Sequence, residues 1–135
     1  MNVAIRYYSK TGNTKKLADS IGQAVGAQVE TVETPLSEKA DVLFLGSSVY
    51  AAGVDESVKE FIRNNKEKIG TIVGFSTAAL IPSTYKQIKK IAAENGVEVS
   101  NEEFHCRGSF GLMHKGRPNA KDLKDVAEFA KKICN

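Results

Sequence analysis

Two short segments of this chain have almost nothing polar to show to water. Asp41–Leu45 reads DVLFL and Thr71–Phe75 reads TIVGF. A strand in a half-solvated sheet alternates apolar with polar residues, whereas a run that is apolar on both faces belongs to a sheet covered on both sides. Such sheets are parallel, and parallel strands need long crossovers that helices supply. The sequence provides them. Asn13–Val25 places Leu17, Ile21, Ala24 and Val25 at helical spacing, with Gly26 set to stop it. Asp55–Asn64 puts Val58, Phe61 and Ile62 on one side, and Ser83–Asn95 sits between Pro82 and Gly96. Asn119–Ile133 closes the chain with a stripe of Leu123, Val126, Phe129, Ala130 and Ile133. Asn2–Tyr8, Gln28–Val32 and Val97–Arg107 read as the other extended segments, the second of them near an edge. The first apolar run is expected to end at Gly46-Ser47-Ser48 and the second at Ser76-Thr77. The alternation predicts one α/β domain over residues 1–135, a doubly wound parallel sheet of five strands with helices on both faces.

Composition removes several classes of function. Nineteen basic against sixteen acidic residues leave a net charge of +3, too mild for the basic stripe of a nucleic-acid binder. No apolar run is long enough to span a bilayer, and the N-terminus enters a strand at once, so a cytoplasmic protein without a membrane partner is expected. Cys106 and Cys134 are far apart and form no C-x-x-C pair, so both read as reduced thiols. His105 and His114 are too scattered to ligate a metal, and no Ser–His–Asp or Cys–His set stands out.

The chemistry gathers at Tyr7–Thr14, YYSKTGNT, between the first strand and the first helix. Ligands of open α/β sheets bind beyond the carboxyl ends of the strands, where the winding reverses. The first four N–H groups of a helix lack internal partners and carry partial positive charge. Ser9, Thr11 and Thr14 add hydroxyls, and Gly12 lets a ligand approach the backbone. These features suit a phosphate. Lys15 and Lys16 oppose the helix dipole, at about 0.3–1 kcal/mol each, which a bound dianion would offset. On these residues alone, an ordinary turn capped by Asn13 or Thr11 accounts for the loop equally well. Neither G-x-x-x-x-G-K-[ST] nor G-x-G-x-x-G is present.

S-x-T-G-N-T after a first strand resembles the phosphate loop of flavodoxins, which holds the phosphate of FMN. LGSSVYAAGVDESVKEFI, Leu45–Ile62, resembles the second flavin loop and its helix, and RPNAKDLKDVAEFAKK from Arg117 is similar to the closing helix of that family. The resemblance covers essentially the whole chain and implies a sheet order 2-1-3-4-5. It implies that Ser9, Lys10, Thr11, Gly12, Asn13 and Thr14 cradle the phosphate. Ser47, Ser48, Val49, Tyr50, Ala51, Ala52 and Gly53 would form one wall of the ring site, with Tyr50 stacking. Ser76, Thr77, Ala78, Ala79 and Leu80 would form the other. In flavodoxins a peptide of the first wall turns on reduction of the flavin to meet N5, and similar behaviour is expected within Ala51–Gly53.

The chain departs from the family in having no tryptophan and a basic charge. Arg107, Lys115 and Arg117 are expected near the ring site, where they would ease the anionic reduced flavin and raise its potential. The resemblance implies a monomeric electron carrier working between redox partner proteins. A flavodoxin-like flavoenzyme acting on a quinone or porphyrinogen is the alternative. A receiver-like signalling domain shares the winding but needs an acidic pocket at the first strand end, which Arg6-Tyr7-Tyr8 does not supply.

Overall fold

The computed structural model of the protein describes residues 1–10, 12–50, 53–78, 84–107 and 116–135. In chain order the elements are β1 (Val3–Tyr7), α1 (Asn13–Val25), β2 (Val29–Thr31), β3 (Ala40–Tyr50), β4 (Gly53–Val54), α2 (Glu56–Asn65), a 3₁₀ turn (Lys66–Lys68), β5 (Ile69–Ala78), α3 (Tyr85–Glu94), β6 (Glu98–Val99), β7 (Phe104–Arg107) and α4 (Ala120–Cys134). The strands run β2-β1-β3-β5-β6, with β7 also on β5 and β4 folded antiparallel onto β3. β6 and β7 are two pieces of one edge strand. The register on β5 moves from Ile72 opposite Val99 to Phe75 opposite Phe104, so residues 100–103 bulge out of the ladder. With those pieces taken together, the parallel strands follow the order 2-1-3-4-5, as expected.

Alternation along the central strands sorts the core into two layers. Leu43 and Leu45 face α2 and α3, packing with Val58, Phe61, Ile62, Ile88 and Ala92. Phe44 faces the other way, with Ile5, Leu17, Ile21, Phe75, Val126 and Ala130, under α1 and α4. A run apolar on both faces is what this arrangement demands of β3. Arg6 is the buried exception on β1. Its guanidinium donates to the carbonyls of Ile5 and Thr34 at 2.9 Å and of Pro35 at 3.3 Å, and so clamps the connection between β2 and β3.

Two strand ends differ from expectation. β3 runs on through Gly46, Ser47 and Ser48 to Tyr50, and β5 through Ser76 and Thr77 to Ala78. The two extensions pair with each other, Ser47 opposite Ser76, Ser48 opposite Thr77 and Val49 opposite Ala78. Cross-strand pairing therefore overrides the local tendency of serine and glycine to end strands. Val49 and Tyr50 then pair with Val54 and Gly53 of β4, making a hairpin where an open loop was expected.

Gly46 fixes how closely α1 approaches the sheet. A Cβ at this position would lie 2.4 Å from the Phe75 ring and 2.9 Å from the Thr14 methyl. The first turn of α1 thus rests directly on β3. Gly46→Ala is expected to lose about 1–3 kcal/mol of stability through overpacking, read as a lower urea midpoint with an unchanged m-value. An unchanged midpoint would show that α1 is not seated on this glycine.

Candidate functional site

The carboxyl ends of β1, β3 and β5 meet the amino ends of α1 and α3, and the expected site residues lie there. β1 ends at Tyr7, and the chain turns through Tyr8, Ser9 and Lys10 toward α1. The cap of α1 is Gly12, in left-handed backbone at φ 89° and ψ −2°, a conformation that favours glycine. Its N–H donates to Ser9 Oγ at 2.9 Å, which closes the loop. Asn13 is the first helical residue rather than the cap, and it is buried. Thr11 lies outside the described residues. A glycine cap puts no capping side chain over the helix mouth, and no acidic residue stands in the first turn. Both features suit an anion held by backbone N–H groups.

Thr14 turns inward. It has no exposed surface, and its Oγ1 lies 2.9 Å from Thr77 Oγ1 and 3.4 Å from the Ser47 carbonyl, to which it donates. Ser47 is equally buried, and its own hydroxyl donates to Thr84 Oγ1 at 2.9 Å. Lys15 has an internal counter-ion, with Nζ 2.8 Å from Asp19 one turn along, which holds the ammonium above its ordinary range. Its charge therefore does not require a ligand.

Ser48, Val49 and Tyr50 follow on β3, Gly53 opens β4, and Ala78 ends β5. Their side chains, and with them the expected stacking of Tyr50, lie outside the described residues, as do Ala51, Ala52, Ala79 and Leu80. Ser76 and Thr77 are buried at the end of β5.

Three partners of this site escaped the sequence reading. Asp55, expected inside α2, is instead its cap and accepts from Ser57 N–H at 2.9 Å and Ser57 Oγ at 2.6 Å. Those bonds, with the Tyr8 hydroxyl and the Lys10 charge, hold its carboxyl below the usual range. Tyr8 and Asp55 line a cleft of about 400 Å³ with Ser9, Gly12 and Lys15, on the β2 side of the loop. Thr84 precedes α3, whose start was expected at Ser83, but its hydroxyl does not cap the helix. The D-E-S signal for Asp55 is visible in the sequence; the other two depend on contacts distant in the chain.

Of the expected basic cluster, Arg117 is the member whose side chain lies among the described residues. Arg117 forms a two-pronged pair with Asp122, at 2.6 and 2.9 Å, beneath the Asn119–Asp122 capping box of α4. Its charge is thus committed to α4. The Arg107 side chain and Lys115 lie outside the described residues. Cys106 is buried, and burial, with Asp122 nearby, pushes its thiol up to about 12, so it is inert at neutral pH. Among the described residues, no three His, Cys, Asp or Glu are placed to hold a metal, and no helix is long and apolar enough to cross a membrane.

The family model of the flavodoxin domain matches residues 4–108, which span the sheet and the loop between β1 and α1. The chain belongs to the flavodoxin family. Its fold is similar to that of an archaeal flavodoxin, with a TM-score of 0.80 at 19% identity over 98% of this chain and 96% of that one. It is also similar to part of the rubredoxin oxygen:oxidoreductase of Desulfovibrio gigas, with a TM-score of 0.74 at 14% identity over 98% of this chain and 35% of that one. An uncharacterised protein of Methanocaldococcus jannaschii is 28% identical over 90% of this chain and 89% of its own length. Membership of the flavodoxin family implies a flavin-binding redox protein.

Burial raises the Asp122 carboxyl, but the Arg117 guanidinium and the Asn119 N–H outweigh it and hold the group below the ordinary range. A depressed carboxylate stabilises the fold above its unfolded pKa of about 4, and this contribution is lost as pH falls through the folded value. Asp122→Asn is expected to cost about 1–3 kcal/mol at neutral pH and to flatten the acid limb of the stability profile. Urea unfolding at neutral and acid pH checks both, and an acid limb as steep as the parent's would exclude Asp122 as its source.

Proposed function

We propose that this flavodoxin binds FMN with the phosphate at the mouth of α1 and carries electrons between redox partner proteins. The observation that supports this reading most is the glycine-capped start of α1, with no acid in its first turn, set beyond the carboxyl end of β1 where it pairs with β3. Backbone N–H groups of residues 13–15 would hold the phosphate, with Gly12 turning the chain into the helix mouth. Ser9 would add its hydroxyl, whose proton is not used in the bond from Gly12. Thr14, with its hydroxyl turned to Thr77, would contribute through the backbone. Lys10 and Thr11 complete the proposed cradle. The stretches Ser47–Gly53 and Ser76–Leu80 would flank the ring, the first as a hairpin end. When bound, FMN would supply the electron chemistry, and the chain would position it and limit its contact with water.

A flavoenzyme acting on a quinone or porphyrinogen is the second reading. The likeness to one part of a larger oxidoreductase supports it, because the same fold there sits within such a protein. The proposed arrangement predicts a yellow protein that takes up FMN in a one-to-one ratio. It should be reduced by a ferredoxin-type reductase and pass electrons to an acceptor protein, with no steady turnover of quinones or porphyrinogens. Rapid turnover of either small molecule would favour the second reading. A colourless protein that refuses added FMN would remove both.

A further inference from the structure

Four buried hydroxyls join the elements that carry the proposed flavin site. Thr14 starts α1, Ser47 lies on β3, Thr77 on β5, and Thr84 stands immediately before α3. Thr14, Ser47, Thr77 and Thr84 are 0%, 0%, 2% and 3% exposed. Thr14 and Thr77 meet on the α1 side of the sheet at 2.9 Å. Ser47 donates to Thr84 at 2.9 Å on the α3 side. The Ser47 backbone joins the two halves, since its carbonyl accepts from Thr14 at 3.4 Å. One residue of β3 is thus bonded through its main chain to the start of α1 and through its side chain to the start of α3.

Thr84 has another use available. A threonine just before a helix ordinarily turns its hydroxyl onto the first-turn N–H groups. Here it forms no such cap bond and accepts from Ser47 instead. A buried hydroxyl deprived of its acceptor carries a desolvation cost, so Ser47 is bound to follow Thr84. Thr14 registers against the Ser47 carbonyl, and Gly46 beside it leaves room for only one depth of seating.

We propose that Thr84 and Ser47 are positioning residues for the phosphate loop, acting across the sheet through Thr14. This rests on the FMN reading above and adds that the strength of the phosphate seat is set from the α3 side. The hydrogen bond of the Thr84 hydroxyl runs to Ser47 and not to a described loop residue proposed to hold the phosphate. Changing it should nevertheless alter how much the phosphate contributes to flavin binding.

The test compares FMN with riboflavin, which lacks the phosphate. The ratio of their dissociation constants isolates the phosphate contribution, and it is measured by fluorescence quenching for the parent, Thr84→Val and Thr84→Ser. Thr84→Val keeps the shape and removes the acceptor. It is expected to lower the riboflavin-to-FMN ratio at least threefold, with Thr84→Ser restoring most of it. A structural role alone would weaken both flavins equally and leave the ratio unchanged, which would overturn the proposal. If Thr84→Val does not fold, Ser47→Ala serves with the same expectation, and an unchanged ratio there overturns the proposal too. A parent ratio near one would instead remove the phosphate reading itself, so the two failures are separable.

Discussion

The first turn of α1 stands on β3 with a glycine beneath it. The Thr14 methyl and the Phe75 ring occupy the space a side chain at residue 46 would need. Van der Waals contact on one side and hydroxyl bonds on the other leave α1 a single depth above the sheet. The position of the helix mouth follows from that depth, and with it the place where backbone N–H groups can meet an anion. α4 packs beside α1 on the same face, so its capping box and the Arg117–Asp122 pair secure the same layer from the far end of the chain.

The opposite face is organised around Leu43, Leu45 and the two helices α2 and α3. At the carboxyl ends of the strands the apolar pattern gives way to Ser47, Ser76 and Thr77, which are as buried as the leucines behind them. Buried polar groups must find partners or carry a desolvation cost, and no buried side-chain polar atom among the described residues lacks one. Polarity here thus gives specificity of position rather than access to water. A sheet end lined with leucine could bury as much surface, but it would not fix where α1 and α3 begin relative to each other.

Much of the fold was legible from periodicity. The bounds of α1 agree with expectation, Asn13–Val25, because a glycine in left-handed backbone stands at each end of an amphipathic run. The strand order also follows from the doubly wound pattern and the family resemblance. Local pattern is silent where small polar residues carry structure. Gly46, Ser47 and Ser48 look like the end of a strand when read locally, but they are ladder partners of Phe75, Ser76 and Thr77, and only the pairing shows it. Lys15 argues less for a bound anion than its place at the start of α1 suggests, since Asp19 lies one turn from it. The Ser47–Thr84 bond joins residues 37 positions apart, a separation at which no local pattern speaks. The interruption of the edge strand between β6 and β7 was missed because the segment from Val97 to Arg107 offers no proline or glycine before its end.

The seat at the mouth of α1 is tested most directly by phosphorus NMR of the protein with one equivalent of FMN. The dianion of a free phosphomonoester takes up a proton near pH 6, becoming the monoanion. Held by helix N–H groups, the dianion should give a displaced resonance that does not move between about pH 5 and about pH 8. A resonance at the free position, titrating as it does in buffer, would contradict the account.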